Sequence, residues 1–426
     1  MKSVLAIAIV WLLLAWPAAA APKLPFDADG EAIVLVGGRV LVGDGRVIEG
    51  GVVELRGTRI TAVGAAGSVA VREGATKIDV TGMIVAPGFI AAGSGIGLTE
   101  IGAEESTNDV GLAVEDPIRS AYDVASAVNA ESTLLPVQAV EGVTSAAVTP
   151  TGGLVSGQVA WIDLLSGAHR SVVSRPRIAM QASLGRVYAG SRSATLSKLR
   201  EVLDDARFYR DHRSAYDRRQ SRDLAAHRLD LEALVPVLDR EVPLVVSAHR
   251  VSDLLALVQL AKTLKLRVVV TGGTQAWKIA DALAEAKIPV IVQPTSNLPA
   301  SFDHIGARLD NAALLYKAGV EVGIGLLGDN HNLRNLGQEA GIAAANGLPR
   351  DVALSAITHV IARAYGMDAH YGSIAVGKVA NVVVWDGDPL ELSSAPKRVY
   401  VRGREISMRT RQTELRDRYR DLRRYE

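Results

Sequence analysis

The chain of 426 residues contains no cysteine, which removes disulfide scaffolding, thiolate nucleophiles and cysteine metal centres from consideration at once. It also lacks a charge surplus, since Lys+Arg 47 stand against Asp+Glu 46 for a formal net charge of +1. Nucleic-acid binding needs a clustered basic excess, so no such partner is expected. The charged segment 200–228 interleaves Asp with Arg around Phe208, Tyr209 and Tyr216 and reads as a solvated helical excursion. A long apolar run is missing too. The N-terminal run 4–16 is 13 residues, too short for a stable membrane span. With Lys2 before it and Ala18, Ala19 and Ala20 after it, it predicts a signal peptide over 1–20 and a periplasmic or otherwise extracytoplasmic mature chain. No Walker glycine pattern and no Gly-x-Ser-x-Gly elbow occurs.

What is present is apolar and glycine-punctuated: 48% hydrophobic residues and Gly 40, enough to exclude a disordered chain. Short strand patterns occupy 32–36, 39–42, 51–55 and 59–63, and similar ones return at 380–385 and 398–401. The economical joining of the two groups is one small sheet domain built from both chain ends. Between them, amphipathic helical spacing at 195–209, 230–239, 252–264, 275–285, 309–318 and 351–364 alternates with strand-like runs at 242–246, 267–270, 289–292 and 321–326. That alternation fits a βα barrel or a doubly wound sheet, and spacing does not choose between them.

The stretch 80–101 carries the sharpest resemblance. Pro87-Gly88-Phe89-Ile90 resembles the entry to the first barrel strand of the amidohydrolase superfamily. The resemblance implies a (β/α)8 barrel with a β-sandwich satellite, with sites at the C-terminal ends of the strands. It divides the chain into a signal peptide at 1–20, the first part of the satellite at 21–82, the barrel at 83–370, the second part of the satellite at 371–408 and a polar helical tail at 409–426. The family follows its first strand with Asp-x-His-x-His, two imidazoles at i and i+2 that a strand points the same way. Here those positions are Gly93 and Gly95.

Other strand ends resemble the family in frame and differ in chemistry. Residues 245–253 resemble the fifth-strand end of imidazolonepropionase-like and prolidase-like members, which places Ser247 at a histidine ligand position while His249 and Arg250 remain. At the sixth strand the expected histidine falls at about Thr271 or Gly272. The fourth-strand region begins near Arg177 and has no lysine through Ser197 to serve as a carboxylated bridge. The eighth strand leads into Asp329, the candidate proton-shuttling acid, followed by His331 and Arg334. Ser247, His249, Arg250, His331 and Arg334 are the pocket candidates, with Tyr188, Arg186 and Arg250 as a candidate anion-binding set. His304, His359 and His370 read as structural or surface residues.

A binuclear centre needs several imidazoles and carboxylates at one point. With Gly93, Gly95, Ser247 and Thr271 at ligand positions, no metal cofactor is expected, and only a weak or mononuclear zinc site stays open. The expected function is a catalytically degenerate relative that binds a small molecule or supports an active relative, as a homodimer or as a heterodimer with an active paralogue. The alternative is a hydrolase of carbon–nitrogen bonds with an atypical or absent metal. A third reading, a structural envelope protein, requires a barrel mouth filled with apolar side chains. In the tail, Leu415, Tyr419 and Leu422 offer one narrow apolar line, either against the chain's own barrel or against a partner.

Overall fold

The structure, a computed structural model, describes residues 29–111, 116–185 and 188–420. The expected signal peptide, Arg186 and Leu422 lie outside the described residues.

Eight strands form the barrel sheet: β1 (Phe89–Ser94), β2 (Val143–Val148), β3 (Val155–Asp163), β4 (Val173–Ser183), β5 (Leu244–Ala248), β6 (Val268–Gly272), β7 (Val290–Val292) and β8 (Val322–Ile324), neighbours in that order. At the mouth the seam between the last and first strands is tied by the Gly328 N–H donating to the Gly93 carbonyl at 2.8 Å. From β4 onward the strands are parallel and separated by helices, among them Arg192–Asp211, Arg228–Leu238 and Val251–Leu264. Each helix follows its apolar stripe. In Val251–Leu264 the buried Leu254, Leu257, Val258 and Ala261 recur at three- and four-residue spacing and face the sheet.

The third strand departs from the expected all-parallel order. β3 runs antiparallel to both β2 and β4. The reason is chain length: only residues 149–154 connect β2 to β3, whereas a parallel crossover needs a dozen or more residues. Gly152 and Gly153, at φ 85° and 72°, turn the chain back. This hairpin stands at the barrel mouth and forms part of its wall.

The second sheet confirms the joining of the chain ends. Its strand order is Arg404–Glu405, Pro396–Val401, Val382–Trp385, Ile84–Pro87, Ala32–Leu41, Val47–Arg56 and Arg59–Ala65, with Thr76–Asp79 also paired to Ala32–Leu41. Val382–Trp385 pairs antiparallel with Ile84–Pro87, so the N-terminal half is completed by strands from the far end of the chain. The chain leaves this sheet at Pro87 and enters β1 at Phe89. Gly88 makes the crossing because a Cβ there would sit 2.1 Å from Thr144 Oγ1.

Inside the barrel, Ile90, Ala92, Ala147, Val159, Trp161, Ala179, Val245, Val269 and Ile291 form a continuous buried cluster with Tyr365, Met367 and Tyr371. The period of two along a strand then points the next residues of β4, β5 and β6 toward the mouth. Those residues are Gln181, Ser247 and Thr271, all of them in the mouth wall.

The tail forms a helix at Arg411–Tyr419, capped reciprocally by Thr410 and Thr413. None of its residues is buried, and Leu415 and Tyr419 are exposed.

Candidate functional site

The mouth opens into a cavity of about 380 Å³. Hydroxyls and amides dominate its polar lining: Gln181, Ser183, Ser247, Thr271, Thr274 and Gln293. Two imidazoles, His249 and His304, and one guanidinium, Arg308, complete the set of ionisable nitrogen groups. No Asp, Glu or Lys lines the cavity among the described residues. The condition for a structural protein, an apolar plug at the mouth, is therefore not met.

Gly93, Ser247, His249 and Thr271 all line the cavity. Gly95 does not. Gly93 has φ 68°, so the backbone leaves the extended conformation between the two glycines and the same-side rule for i and i+2 no longer applies. A Cβ on Gly95 would point at Val110 Cγ2, 2.5 Å away, and the Gly95 N–H donates instead to Asn330 Oδ1 at 2.7 Å. The space beside Gly93 is already taken, since a Cβ there would approach Leu327 Cδ2 to 2.8 Å. Gly272, at φ 89°, repeats the pattern: a Cβ would meet His249 Cε1 at 2.5 Å. The ring of His249 thus lies over Gly272, beside Thr271 in the pair of positions where the resemblance puts a sixth-strand histidine.

The eighth-strand acid also turns away from the expected place. Asp329 is not among the residues lining the cavity. Its Oδ1 accepts from the His331 N–H at 2.8 Å and the Asn332 N–H at 2.9 Å, and its Oδ2 accepts from Asn332 Nδ2 at 3.1 Å. Burial pushes the carboxyl up, but the hydrogen bonds from Asn332 and His331 outweigh it and hold Asp329 below the ordinary carboxylate range. This is an Asx-type turn, which fixes the loop after β8. His331 is exposed, its carbonyl accepting from Gln138 Nε2, and the Arg334 N–H donates to Gln138 Oε1, each at 2.7 Å. Arg250 sits at the start of the helix Val251–Leu264 with Nε 3.8 Å from Asp303 Oδ1. Arg250, His331 and Arg334 are outside the cavity wall.

His304 was not separable from surface histidines by sequence, and the structure brings it against His249, with ring centroids 4.3 Å apart and planes tilted by 56°. It lies on the long loop after β7, which Asp303 ties down through ion pairs with Arg192 and Arg250. Gln181 and Gln293 were also missed, although strand alternation beyond Ala179 and Ile291 was the available signal. His249 Nδ1 lies 2.9 Å from Thr274 Oγ1. Burial chiefly, then the neighbouring His304, lowers the His249 pKa to about 4.

A pH prediction follows with a definite sign. The unfolded chain takes up this proton near the ordinary 6.5 while the folded chain resists it to about 4. Stability therefore falls as pH drops through that window and levels off below it. At about 1.4 kcal/mol per unit the full loss is on the order of 3 kcal/mol. Urea unfolding of metal-free protein at several pH values should show this loss, and His249→Gln should flatten it. An unchanged slope in His249→Gln would assign the acid sensitivity to other groups.

Comparison with known proteins agrees with this geometry. The profile described as the Amidohydrolase family matches residues 238–407, from the approach to β5 into the second sheet. A solved amidohydrolase from Thermotoga maritima MSB8 superposes with a TM-score of 0.79 at 25% identity, covering 88% of this chain and 100% of that one. The fold is the amidohydrolase fold. A molinate hydrolase structure shares the barrel at a TM-score of 0.56 and 19% identity, covering 89% of this chain and 95% of its own. Among sequences, amidohydrolase tasK of Hapsidospora irregularis is 38% identical over 72 residues, which is 17% of this chain and 7% of that protein. Within the amidohydrolase fold seen here, no group of three or more His, Cys, Asp or Glu side chains is placed to hold a metal ion among the described residues. No described helix is long and apolar enough to cross a membrane.

Proposed function

We propose that this chain is an exported amidohydrolase-superfamily protein of the imidazolonepropionase-like or prolidase-like branch that has lost its binuclear centre and binds a small polar molecule in the barrel mouth. The observation that carries the reading is the make-up of the cavity: hydroxyls, amides, two imidazoles and one guanidinium, with no carboxylate among the described residues. Hydrolysis at a binuclear site needs bridging and terminal oxygen ligands and a base for the attacking water. Here Leu327 and the His249 ring fill the space beside Gly93 and Gly272. A wall of hydrogen-bond donors and acceptors with one guanidinium, Arg308, suits a small polar ligand held by hydrogen bonds. The exposed Leu415 and Tyr419 of the tail support a homodimer, or a heterodimer with an active paralogue, as the assembled form.

The test is metal analysis of protein purified without chelator, joined to a hydrolysis screen with dipeptides and cyclic amides and a thermal-shift screen of small polar molecules. The expected result is no retained zinc pair, no turnover, and a rise in Tm with at least one ligand class that is lost in Ser247→Leu. Two zinc ions per chain retained through dialysis, with turnover abolished by Asp329→Asn, would establish the alternative, a carbon–nitrogen hydrolase.

A further inference from the structure

We propose that His249 and His304 together form a two-imidazole site for one late first-row divalent cation, Cu²⁺ foremost, at the wall of the barrel mouth. The pair is distinct from the vacated positions at Gly93, Gly95, Ser247 and Thr271, because one imidazole follows the end of β5 and the other comes from the loop after β7. The proposal rests on reading the mouth as a ligand pocket without a binuclear centre.

Four observations converge. The two rings are 4.3 Å apart between centroids and tilted by 56°, so two imidazoles from separate segments meet at one point of the cavity wall, where a modest adjustment of the loop would let both share an ion. Each Nδ1 already has a hydroxyl partner, Thr274 Oγ1 at 2.9 Å for His249 and Ser301 Oγ at 2.7 Å for His304. A hydrogen bond on one ring nitrogen is the usual support for a histidine that ligates through the other, and it directs Nε2 to the ion. Among the described residues the cavity wall carries no carboxylate, which disfavours Mg²⁺ and Ca²⁺ and leaves imidazole-loving cations, among which Cu²⁺ binds most tightly. Finally, the loop bearing His304 is already held near the mouth, because Asp303 is paired with Arg192 and Arg250. Ordering that loop on binding therefore costs less than closing a free one. Ser247 and Thr271 line the same cavity, and water completes the coordination.

The site can be tested on full-length, tag-free protein stripped of metal and titrated with CuCl₂ and with ZnCl₂ in a non-coordinating buffer. One equivalent of Cu²⁺ should bind, about tenfold or more tighter than Zn²⁺, with electron paramagnetic resonance showing hyperfine coupling to imidazole nitrogen. His304→Ala, on a surface loop, should weaken Cu²⁺ binding by about tenfold or more. His331→Ala should not weaken it. His249→Asn serves as the second ligand variant, and His304→Ala alone carries the test if that protein does not fold. Absence of one-equivalent binding, unchanged affinity in His304→Ala, or loss of affinity in His331→Ala would each overturn the site. These failures leave the degenerate-centre reading standing, whereas a retained zinc pair with turnover would remove that reading.

Discussion

Restoring histidine at Gly93 and Gly95 together is expected to destabilise the protein by about 3 kcal/mol or more and to return no metal-dependent hydrolysis. Sequence alone predicts the second half of that result, because the fourth-, fifth- and sixth-strand ligands would still be missing. The structure adds the first half. A side chain on Gly93 must adopt φ near 68° and displace Leu327, and one on Gly95 must displace Val110 from 2.5 Å. Non-glycine residues in the left-handed region cost roughly 1 kcal/mol or more, and overpacking typically adds 1–3 kcal/mol. Denaturant unfolding of the two single variants and the double variant separates these contributions. Adding Leu327→Ala to Gly93→His should recover part of the loss by opening the occupied space. A double variant as stable as the parent would show that the positions are merely empty, and the account of a refilled centre would then fail.

Asp163→Ala is expected to cost about 3–5 kcal/mol, among the largest losses available to a single substitution in this chain. Asp163 ends β3 at the base of the barrel, fully buried. Its Oδ1 accepts from Ser145 Oγ at 3.0 Å and Asn381 Nδ2 at 2.9 Å. Its Oδ2 accepts from Ser174 Oγ at 2.5 Å and the Tyr371 hydroxyl at 3.0 Å, with Arg402 Nε at 3.9 Å. Ser145 and Ser174 belong to the barrel, whereas Asn381 and Arg402 flank the second-sheet strands Val382–Trp385 and Pro396–Val401, so this one carboxylate joins the two. Burial pushes the carboxyl above its ordinary range against the opposing pull of Ser174, Asn381, Arg402 and Ser145. Truncation removes the acceptor shared by four donors, of which Asn381 Nδ2 keeps Ser145 Oγ at 2.9 Å, and each buried group left unsatisfied costs about 1–3 kcal/mol before relaxation. Asp163→Asn keeps the shape and one acceptor oxygen and should lose less. Equal losses in the alanine and asparagine variants, measured by urea unfolding, would mean that the charge and not the hydrogen-bond set holds the junction.

The alternation of strands and helices was legible because it is written locally, whereas the choice of a barrel came from the family resemblance. Apolar periods of two and of about 3.6 mark β5 to β8 and the helices between them, and Pro87-Gly88-Phe89-Ile90 marks the entry to β1. The absence of imidazoles at positions the resemblance assigns to ligands was equally legible, since a glycine at 93 or a serine at 247 cannot donate an imidazole in any fold. The reversal of β3 was within reach, because the six residues 149–154 are too few for a crossover.

The direction of side chains at the strand ends was not legible. Sequence spacing assumes a regular strand, but Gly93 at φ 68° breaks the alternation before Gly95. It cannot report that Asp329 spends its carboxylate on the N–H groups of its own turn while Asn330 reaches across to Gly95. Nor can it place His304 against His249, because their meeting depends on how the loop after β7 is tied to Arg192 and Arg250. By itself the sequence determined the alternation of strands and helices and the two-ended sheet, which are properties of residue type and local period. The barrel and the places of the ligand positions came from the resemblance carried by short motifs such as Pro87-Gly88-Phe89-Ile90. Only the tertiary structure decided what fills the vacated positions and which polar groups share the mouth, because those depend on contacts between segments far apart in the chain.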